Sequence, residues 1–125
     1  MKTTIITDKA PTTIGPYSQA VKIGGLMFCS GMLPINPKSS VMPEGIQAQT
    51  KQVLENIKGL LESQGRSMED VVKTTIFLNN MDDFVDMNHI YELFFVAPFP
   101  ARSTVEVARL PKDALIEIET IVMME

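Results

Sequence analysis

The sequence predicts an α+β domain in which two helices cover one face of a mixed β-sheet, in the order β-β-α-β-α-β-β. Two segments, around residues 46–64 and 84–95, repeat apolar residues at helical spacing. A β-branched and aromatic run separates them, and alternating segments with turn signals lie on both sides. Two helices and a sheet arranged in this order are typical of a two-layer fold.

The N-terminal strands are predicted to form a local hairpin. Residues 18–23 and 26–30 are short strand-like runs, and the Gly-Gly pair between them is a turn signal for an antiparallel pair. A further strand is predicted over residues 3–7. Residues 32–45 contain prolines separated by polar residues, which predicts a loop.

The first helix is predicted to begin at Ile46 and to end before Gly65, a common helix stop. Its apolar stripe comprises Val53, Leu54, Ile57, Leu60 and Leu61. Residues 71–78 then form a β-branched run that favours a strand.

The second helix is predicted after the Asn79-Asn80 cap region, and Pro98 and Pro100 end it. Its apolar face comprises Phe84, Met87, Tyr91, Phe94 and Phe95, with Asn88 among them. The order of helix, strand and helix supports the two-layer fold.

Residues 101–110 and 114–124 both alternate, and the short connection between them predicts a C-terminal hairpin. In the last strand Ile116, Ile118 and Val122 share one face, which we expect under the helices. Glu117 and Glu119 therefore lie on the other face. By the same logic Arg102, with Thr104 and Glu106, is expected to point away from the helices.

The sheet face that carries Glu117 and Glu119 also carries Leu115, Ile121 and Met123. A half-apolar face of this kind often contacts a partner, so we expect an oligomer with Arg102 and a glutamate near a subunit boundary. The strand pattern alone leaves a second interpretation open, in which these charges form exposed cross-strand ion pairs of little energetic value.

The bulk properties indicate one domain, residues 1–125, that is soluble, cytoplasmic and not exported. The net charge of −4 and the absence of a basic run argue against nucleic acid as a partner. No apolar run approaches membrane-spanning length, so no membrane partner is expected. Cys29 is the only cysteine, which excludes an internal disulfide and fits a reducing compartment.

Four segments in order along the chain resemble the reactive intermediate deaminase (Rid, YjgF-type) family. They are Ala10–Ala20 (APTTIGPYSQA), Ser30-Gly31, Asn88–Tyr91 (NHIY) and Pro100–Pro111 (PARSTVEVARLP). The resemblance implies a homotrimer of chorismate-mutase-like subunits with a barrel-like centre and clefts between subunits.

The resemblance also implies a 2-iminobutanoate/2-iminopropanoate deaminase. Its small, carboxylate-bearing substrates, 2-aminoacrylate, 2-aminocrotonate and the related imines, are released by pyridoxal-phosphate dehydratases and hydrolysed to 2-keto acids and ammonia without a metal or cofactor. Two alternatives stay open. One is a non-catalytic regulatory protein that binds 2-keto acids, and the other is RNA cleavage, which has been attributed to some relatives and which the acidic pI disfavours.

By the resemblance, Arg102 is the carboxylate-binding arginine, whose planar fork suits a bidentate grip. Glu117 is the acid that positions the attacking water and moves its proton. For each residue a structural role, an ion pair or a solvated strand position, is the alternative.

The resemblance assigns substrate contacts to Tyr17, Ser30, Asn88 and Thr104. A buried aromatic is the alternative for Tyr17, a simple turn residue for Ser30, and a hydrogen bond within the helix layer for Asn88. For Thr104 the contact is expected to come mainly from the backbone.

Three features depart from the family pattern. Thr104 replaces a frequent cysteine, Met32 replaces a usual glutamine, and the segment between Phe95 and Pro100 is a few residues shorter. The physiological substrate is therefore not fixed by the sequence. The single histidine, His89, excludes a metal site made of several histidines, and Cys29 is expected to be a small buried side chain.

Overall fold

The chain folds into one six-stranded mixed sheet with two helices on one face, as the sequence predicts. The computed structural model describes all 125 residues. The strands are β1 (Thr3–Ile5), β2 (Ala20–Ile23), β3 (Leu26–Met32), β4 (Val71–Leu78), β5 (Ala101–Glu106) and β6 (Ile116–Met123), and the helices are α1 (Ile46–Ser63) and α2 (Phe84–Tyr91). The strand order is β1-β2-β3-β6-β4-β5.

The predicted N-terminal hairpin is confirmed. Ile23 pairs with Leu26 across the Gly-Gly turn, and β2 and β3 are antiparallel. Gly24 has a φ of 57°, a left-handed conformation that glycine adopts without the steric cost of a Cβ atom. The turn signal was local, and it fixed both the pairing and its register.

The predicted hairpin between residues 101–110 and 114–124 is wrong. β6 lies between β3 and β4 and is antiparallel to both, whereas β5 pairs in parallel with β4 at the sheet edge. Parallel neighbours need a crossover, and α2 supplies it between β4 and β5. The short connection from β5 to β6 thus does not make these strands neighbours.

The core lies between the helices and the inner face of the sheet. The residues of β6 predicted to lie under the helices, Ile116, Ile118 and Val122, are all 0% exposed. β6 lies in the middle of the sheet, with β3 on one side and β4 on the other. The apolar stripe of α1 packs on it, from Val53 to Leu61. Neither helix is both long and apolar enough to cross a lipid bilayer.

A buried glutamine organises the long segment between β1 and β2. The Gln19 side-chain oxygen accepts a hydrogen bond from the Thr7 amide at 2.7 Å, and its nitrogen donates to the Thr7 carbonyl at 3.0 Å and to the Pro11 carbonyl at 2.8 Å. Because Gln19 is only 7% exposed, these bonds replace those that its amide would make with water. The loop that carries Tyr17 is therefore tied to the start of β2.

We expect Gln19→Ala to lower the free energy of unfolding by roughly 1–3 kcal/mol, because it leaves partly buried backbone groups of Thr7 and Pro11 without their partner. Urea denaturation followed by circular dichroism measures this. Gln47→Ala, at an exposed position of α1, is the matched control and should change stability by less than about 0.5 kcal/mol. Equal losses in the two variants would contradict the structural role given to Gln19.

Candidate functional site

A cavity of about 630 Å³ lies at the outer face of the sheet, between the Tyr17 loop and β6. Its polar lining includes Tyr17, Ser30, Glu117 and Glu119. We refer to this group as the glutamate cavity. Tyr17 is 52% exposed, so its ring projects from the loop and is not a core aromatic. Three of the residues expected at a site, Tyr17, Ser30 and Glu117, are thus brought together.

A bulge in β3 shapes one wall of the glutamate cavity. The register with β6 shifts between Cys29 and Met32, so Ser30 and Gly31 lie outside the regular ladder. The Ser30 hydroxyl donates a hydrogen bond to the Ser18 carbonyl at 2.6 Å, and the Ser30 amide donates to the Gln19 carbonyl at 3.0 Å. These bonds fix the wall against the start of β2.

Gly31 is required by the position of the Glu117 side chain. A Cβ atom added at Gly31 would lie 2.8 Å from the Glu117 Cδ atom, closer than unbonded carbons approach. The absence of a side chain at Gly31 therefore lets the carboxyl group lie against the backbone of β3. The sequence signal, Ser-Gly at a strand end, suggested a turn and gave no hint of this contact.

Burial raises the pKa of Glu117 above its ordinary value, and the negative charge of Glu119 raises it further. Both effects follow from strand geometry, because residues two apart on β6 point to the same face. A carboxyl group with a raised pKa is a better proton acceptor when ionised and also a usable proton donor. Glu117 is therefore suited to accept and to donate a proton.

A second group of polar and aromatic residues surrounds Arg102 at the sheet edge. Its guanidinium NH1 donates a hydrogen bond to the Asn88 Oδ1 atom at 2.7 Å. The Arg102 Cζ atom lies 4.9 Å from the centre of the Tyr91 ring and 5.4 Å from that of Phe84. We call Phe84, Asn88 and Tyr91, which all come from α2, the arginine cradle.

The expectation that Arg102 points away from the helices is wrong. Arg102 pairs in register with Thr74, which in turn pairs with Thr120 of β6, and these two threonines are buried beneath the helices. Directly paired residues share a face, so Arg102 lies on the helix side. The mistake followed from the hairpin that does not form, since β5 takes its facing from β4.

Arg102 and Glu117 consequently lie on opposite faces of the sheet. The structure brings Arg102 and Asn88 together, and Thr104 shares their face because it is two residues along β5. The Thr104 hydroxyl is buried without a hydrogen-bond partner. The candidate residues therefore form two separate groups, with Tyr17, Ser30 and Glu117 in one and Asn88, Arg102 and Thr104 in the other.

Sequence reasoning missed the aromatic half of the cradle. Phe84 and Tyr91 were predicted to lie on the apolar face of the second helix. Their helical spacing with Asn88 was the one signal that could have indicated a shared contact with Arg102. Cys29 is buried as expected, and burial raises the pKa of its thiol. His89 is exposed on α2, and no three His, Cys, Asp or Glu side chains cluster so that they could hold a metal ion.

Comparison with known proteins gives matches along the whole chain. The model of the family described as Endoribonuclease L-PSP matches residues 7–124. A RutC family protein of Pyrococcus horikoshii is 52% identical over 126 residues, which cover 100% of both chains. The 2-iminobutanoate/2-iminopropanoate deaminase of Escherichia coli K12 is 49% identical over 124 residues, which cover 97% of both chains.

A solved structure has the same fold. The crystal structure of a putative endoribonuclease from Thermotoga maritima superimposes with a TM-score of 0.95 at 49% identity, covering 100% of this chain and 99% of that one. The superposition spans the residues of both the glutamate cavity and the arginine cradle.

Gly31→Ala is expected to lower the pKa of Glu117 toward its ordinary value, because the new methyl group would push the carboxyl group off the β3 backbone and into water. Titration of the glutamate carboxyl carbons by NMR measures the shift. Gly25→Ala is the matched control, since its added Cβ would also face a glutamate, Glu125, at 3.2 Å from its Cδ atom. An unchanged Glu117 titration in Gly31→Ala would contradict the proposed contact.

Glu117→Gln is expected to make the protein more stable than the wild type at pH 7 and to lose that advantage in acid. The folded pKa of Glu117 is raised, so its ionisation opposes folding. The loss of folding free energy is absent at a pH below the ordinary glutamate pKa of 4.5, where the carboxyl group is protonated in both states. It is complete at a pH above the raised pKa of the folded state. Thermal unfolding of both proteins between pH 4 and pH 8 tests this. The exposed Glu62→Gln is the control, and a stability difference that does not change with pH would refute the assignment.

Proposed function

We propose that this chain, which belongs to the family described as Endoribonuclease L-PSP (YjgF/RidA), is a Rid-type deaminase. It hydrolyses small imines and enamines that carry a carboxylate, 2-aminoacrylate and 2-aminocrotonate among them, to 2-keto acids and ammonia. The observation that carries the proposal is the exposed Arg102 guanidinium, held in place by neutral groups with donors left for a ligand. The deaminase name of the E. coli relative, at 49% identity, supports it.

The opposite facing of Arg102 and Glu117 favours a site that two subunits complete. A substrate of a few carbon atoms cannot touch both faces of one sheet. The outer face also exposes apolar side chains on three strands, with Phe28 44%, Val105 42% and Met123 41% exposed. A face of this kind is suited to burial against another copy. We therefore propose a homotrimer in which the glutamate cavity of one subunit meets the arginine cradle of the next.

The proposed chemistry needs one anchor and one proton carrier. Arg102 binds the substrate carboxylate through two parallel N–H···O bonds and so fixes the imine carbon in the cleft. The Glu117 carboxylate takes a proton from water as the water oxygen bonds to that carbon, and it passes the proton to the imine nitrogen. Glu117 then moves the hydroxyl proton of the carbinolamine to its amino nitrogen, the C–N bond breaks, and ammonia leaves as the C=O bond of the keto acid forms.

The remaining site residues have supporting roles in the proposal. Tyr17 and Ser30 line the substrate end of the glutamate cavity, and Asn88 orients Arg102 through their hydrogen bond of 2.7 Å. Thr104 contacts the ligand carboxylate through its backbone, next to Arg102. The source of the substrate is a pyridoxal-phosphate dehydratase in the cytoplasm. A single free, buried cysteine is compatible with this reducing compartment.

The test is a coupled reaction in which a serine or threonine dehydratase generates the imine. The wild-type protein should release keto acid and ammonia faster than spontaneous hydrolysis does. Glu117→Gln should lower kcat about 10²- to 10⁴-fold while it still binds 2-oxobutanoate, because it removes the proton carrier alone. Arg102→Ala should lose both activity and binding. An unaccelerated imine decay with a folded wild-type oligomer would reject the deaminase.

The same experiment separates the alternatives. Binding of 2-oxobutanoate without acceleration would identify a non-catalytic 2-keto-acid-binding regulatory protein. RNA cleavage is tested in parallel because the family and the Thermotoga maritima protein are both described as endoribonucleases. The net charge of −4 and the lack of a basic surface run predict none, and nuclease activity that co-purifies with the oligomer and disappears in Arg102→Ala would overturn this expectation.

A further inference from the structure

The three groups of the arginine cradle are all electrically neutral. Phe84, Asn88 and Tyr91 are spaced at i, i+4 and i+7 on α2, which places them along one stripe of the helix. The two rings attract the guanidinium through their π-electron faces, and the Asn88 amide oxygen accepts one of its hydrogens. The guanidinium is thus held from several sides without a counter-charge.

No carboxylate of the chain lies within ion-pair distance of Arg102. The three ion pairs of the structure join Lys51 with Glu55, Arg66 with Asp70, and Arg109 with Asp113. An aspartate in place of Asn88 would have the same shape and would hold the arginine more strongly. It would also compete with a ligand carboxylate for the positive charge.

The Tyr91 hydroxyl is held by a buried hydrogen bond. This hydroxyl lies 2.9 Å from the Thr74 hydroxyl, and Thr74 is completely buried. The Tyr91 ring contacts Phe95 with the centroids 4.5 Å apart. Thr74 is also the residue on β4 that pairs with Arg102 on β5. One buried hydrogen bond therefore links β4, the neighbour of the strand that carries the arginine, to the ring on which the guanidinium rests.

We propose that Tyr91 and Thr74 are positioning residues for carboxylate recognition, and that the neutrality of the cradle sets the affinity for carboxylates. The buried hydroxyl pair fixes the ring, the ring and Asn88 fix the guanidinium, and its uncompensated charge is left for the ligand. The inference rests on the proposed function of Arg102 as the carboxylate anchor. It goes beyond that function by assigning residues that do not touch the substrate.

Binding of 2-oxobutanoate to the assembled protein, followed by calorimetry, tests the ring. Tyr91→Leu should weaken binding roughly 2- to 30-fold because it removes a cation–π contact. Phe84→Leu, at a less buried position, should weaken it in the same direction and serves if Tyr91→Leu does not fold. Tyr91→Phe keeps the ring but removes the hydroxyl bond that fixes it, so it should weaken binding less than Tyr91→Leu does.

Two further variants separate positioning from general loosening of α2. Phe95→Leu removes a buried aromatic that contacts Tyr91 but not Arg102, so it should lower the melting temperature with little effect on affinity. Thr74→Val should weaken binding, and Thr74→Val combined with Tyr91→Phe should recover part of it, since both partners of the buried bond are then gone. In the imine assay the positioning variants should raise KM and leave kcat near the wild-type value.

Asn88→Asp tests neutrality directly. It keeps the hydrogen-bond acceptor and adds a negative charge beside the guanidinium, so 2-oxobutanoate binding should fall by at least about tenfold. Unchanged or tighter binding in Asn88→Asp would overturn the role of neutrality. Equal losses of affinity in Phe95→Leu and Tyr91→Leu, at equal melting temperatures, would overturn the role of the ring.

The outcome for the wild type distinguishes this inference from the proposed function. If the wild-type protein binds no 2-keto acid and does not accelerate imine hydrolysis, the carboxylate anchor itself is wrong. If the wild type binds 2-oxobutanoate and Arg102→Ala does not, while every cradle variant binds as the wild type does, only the cradle is wrong.

Discussion

The facing of β4 is the constraint on which the site depends. β4 pairs with β6 on one side and with β5 on the other, and its residues Thr74, Ile76 and Leu78 are buried beneath the helices. Each residue that pairs with them must face the same way, because side chains alternate strictly along a strand. The side chain of Arg102 therefore lies on the helix face and that of Glu117 on the outer face as two results of one register. A slip of one residue in either ladder would reverse one of them.

This constraint also explains which parts of the molecule the sequence could predict. The first hairpin and α1 depend on local signals, a Gly-Gly turn and an apolar stripe, and both were predicted correctly. The predicted facing of Glu117 was also correct, because the alternating aliphatic residues of β6 show which face is buried even when the neighbouring strands are unknown. The predicted facing of Arg102 was wrong because β5 is a short edge strand without a buried face of its own. The face on which its side chains lie is set by its parallel partner β4, which is distant in sequence. The cradle was missed because aromatic residues at helical spacing are also typical of a core.

The two halves of the site keep their polar groups in different ways. The wall of the glutamate cavity rests on buried amides such as Gln19, which have all their main partners within the chain. Glu117 and Arg102, in contrast, have no oppositely charged partner. Burial and Glu119 make ionisation of Glu117 costly, and the cradle holds Arg102 by contacts that leave its charge intact. Groups of this kind are typical of functional sites, where stability is lower than the same fold could reach.

Separation by the sheet is what allows both charges to remain unsatisfied. On one face, a glutamate and an arginine two strands apart would be free to form an ion pair, and the pair would lower the pKa of the glutamate and occupy the donors of the arginine. On opposite faces they cannot meet within a subunit. If two subunits form the cleft, Glu117 keeps its raised pKa and Arg102 keeps free hydrogen-bond donors. A substrate between them would contact Arg102 at its carboxylate end and Glu117 at the end where protons are transferred. For the proposed homotrimer, the arrangement thus gives an electrostatic reason to complete the cleft between two subunits.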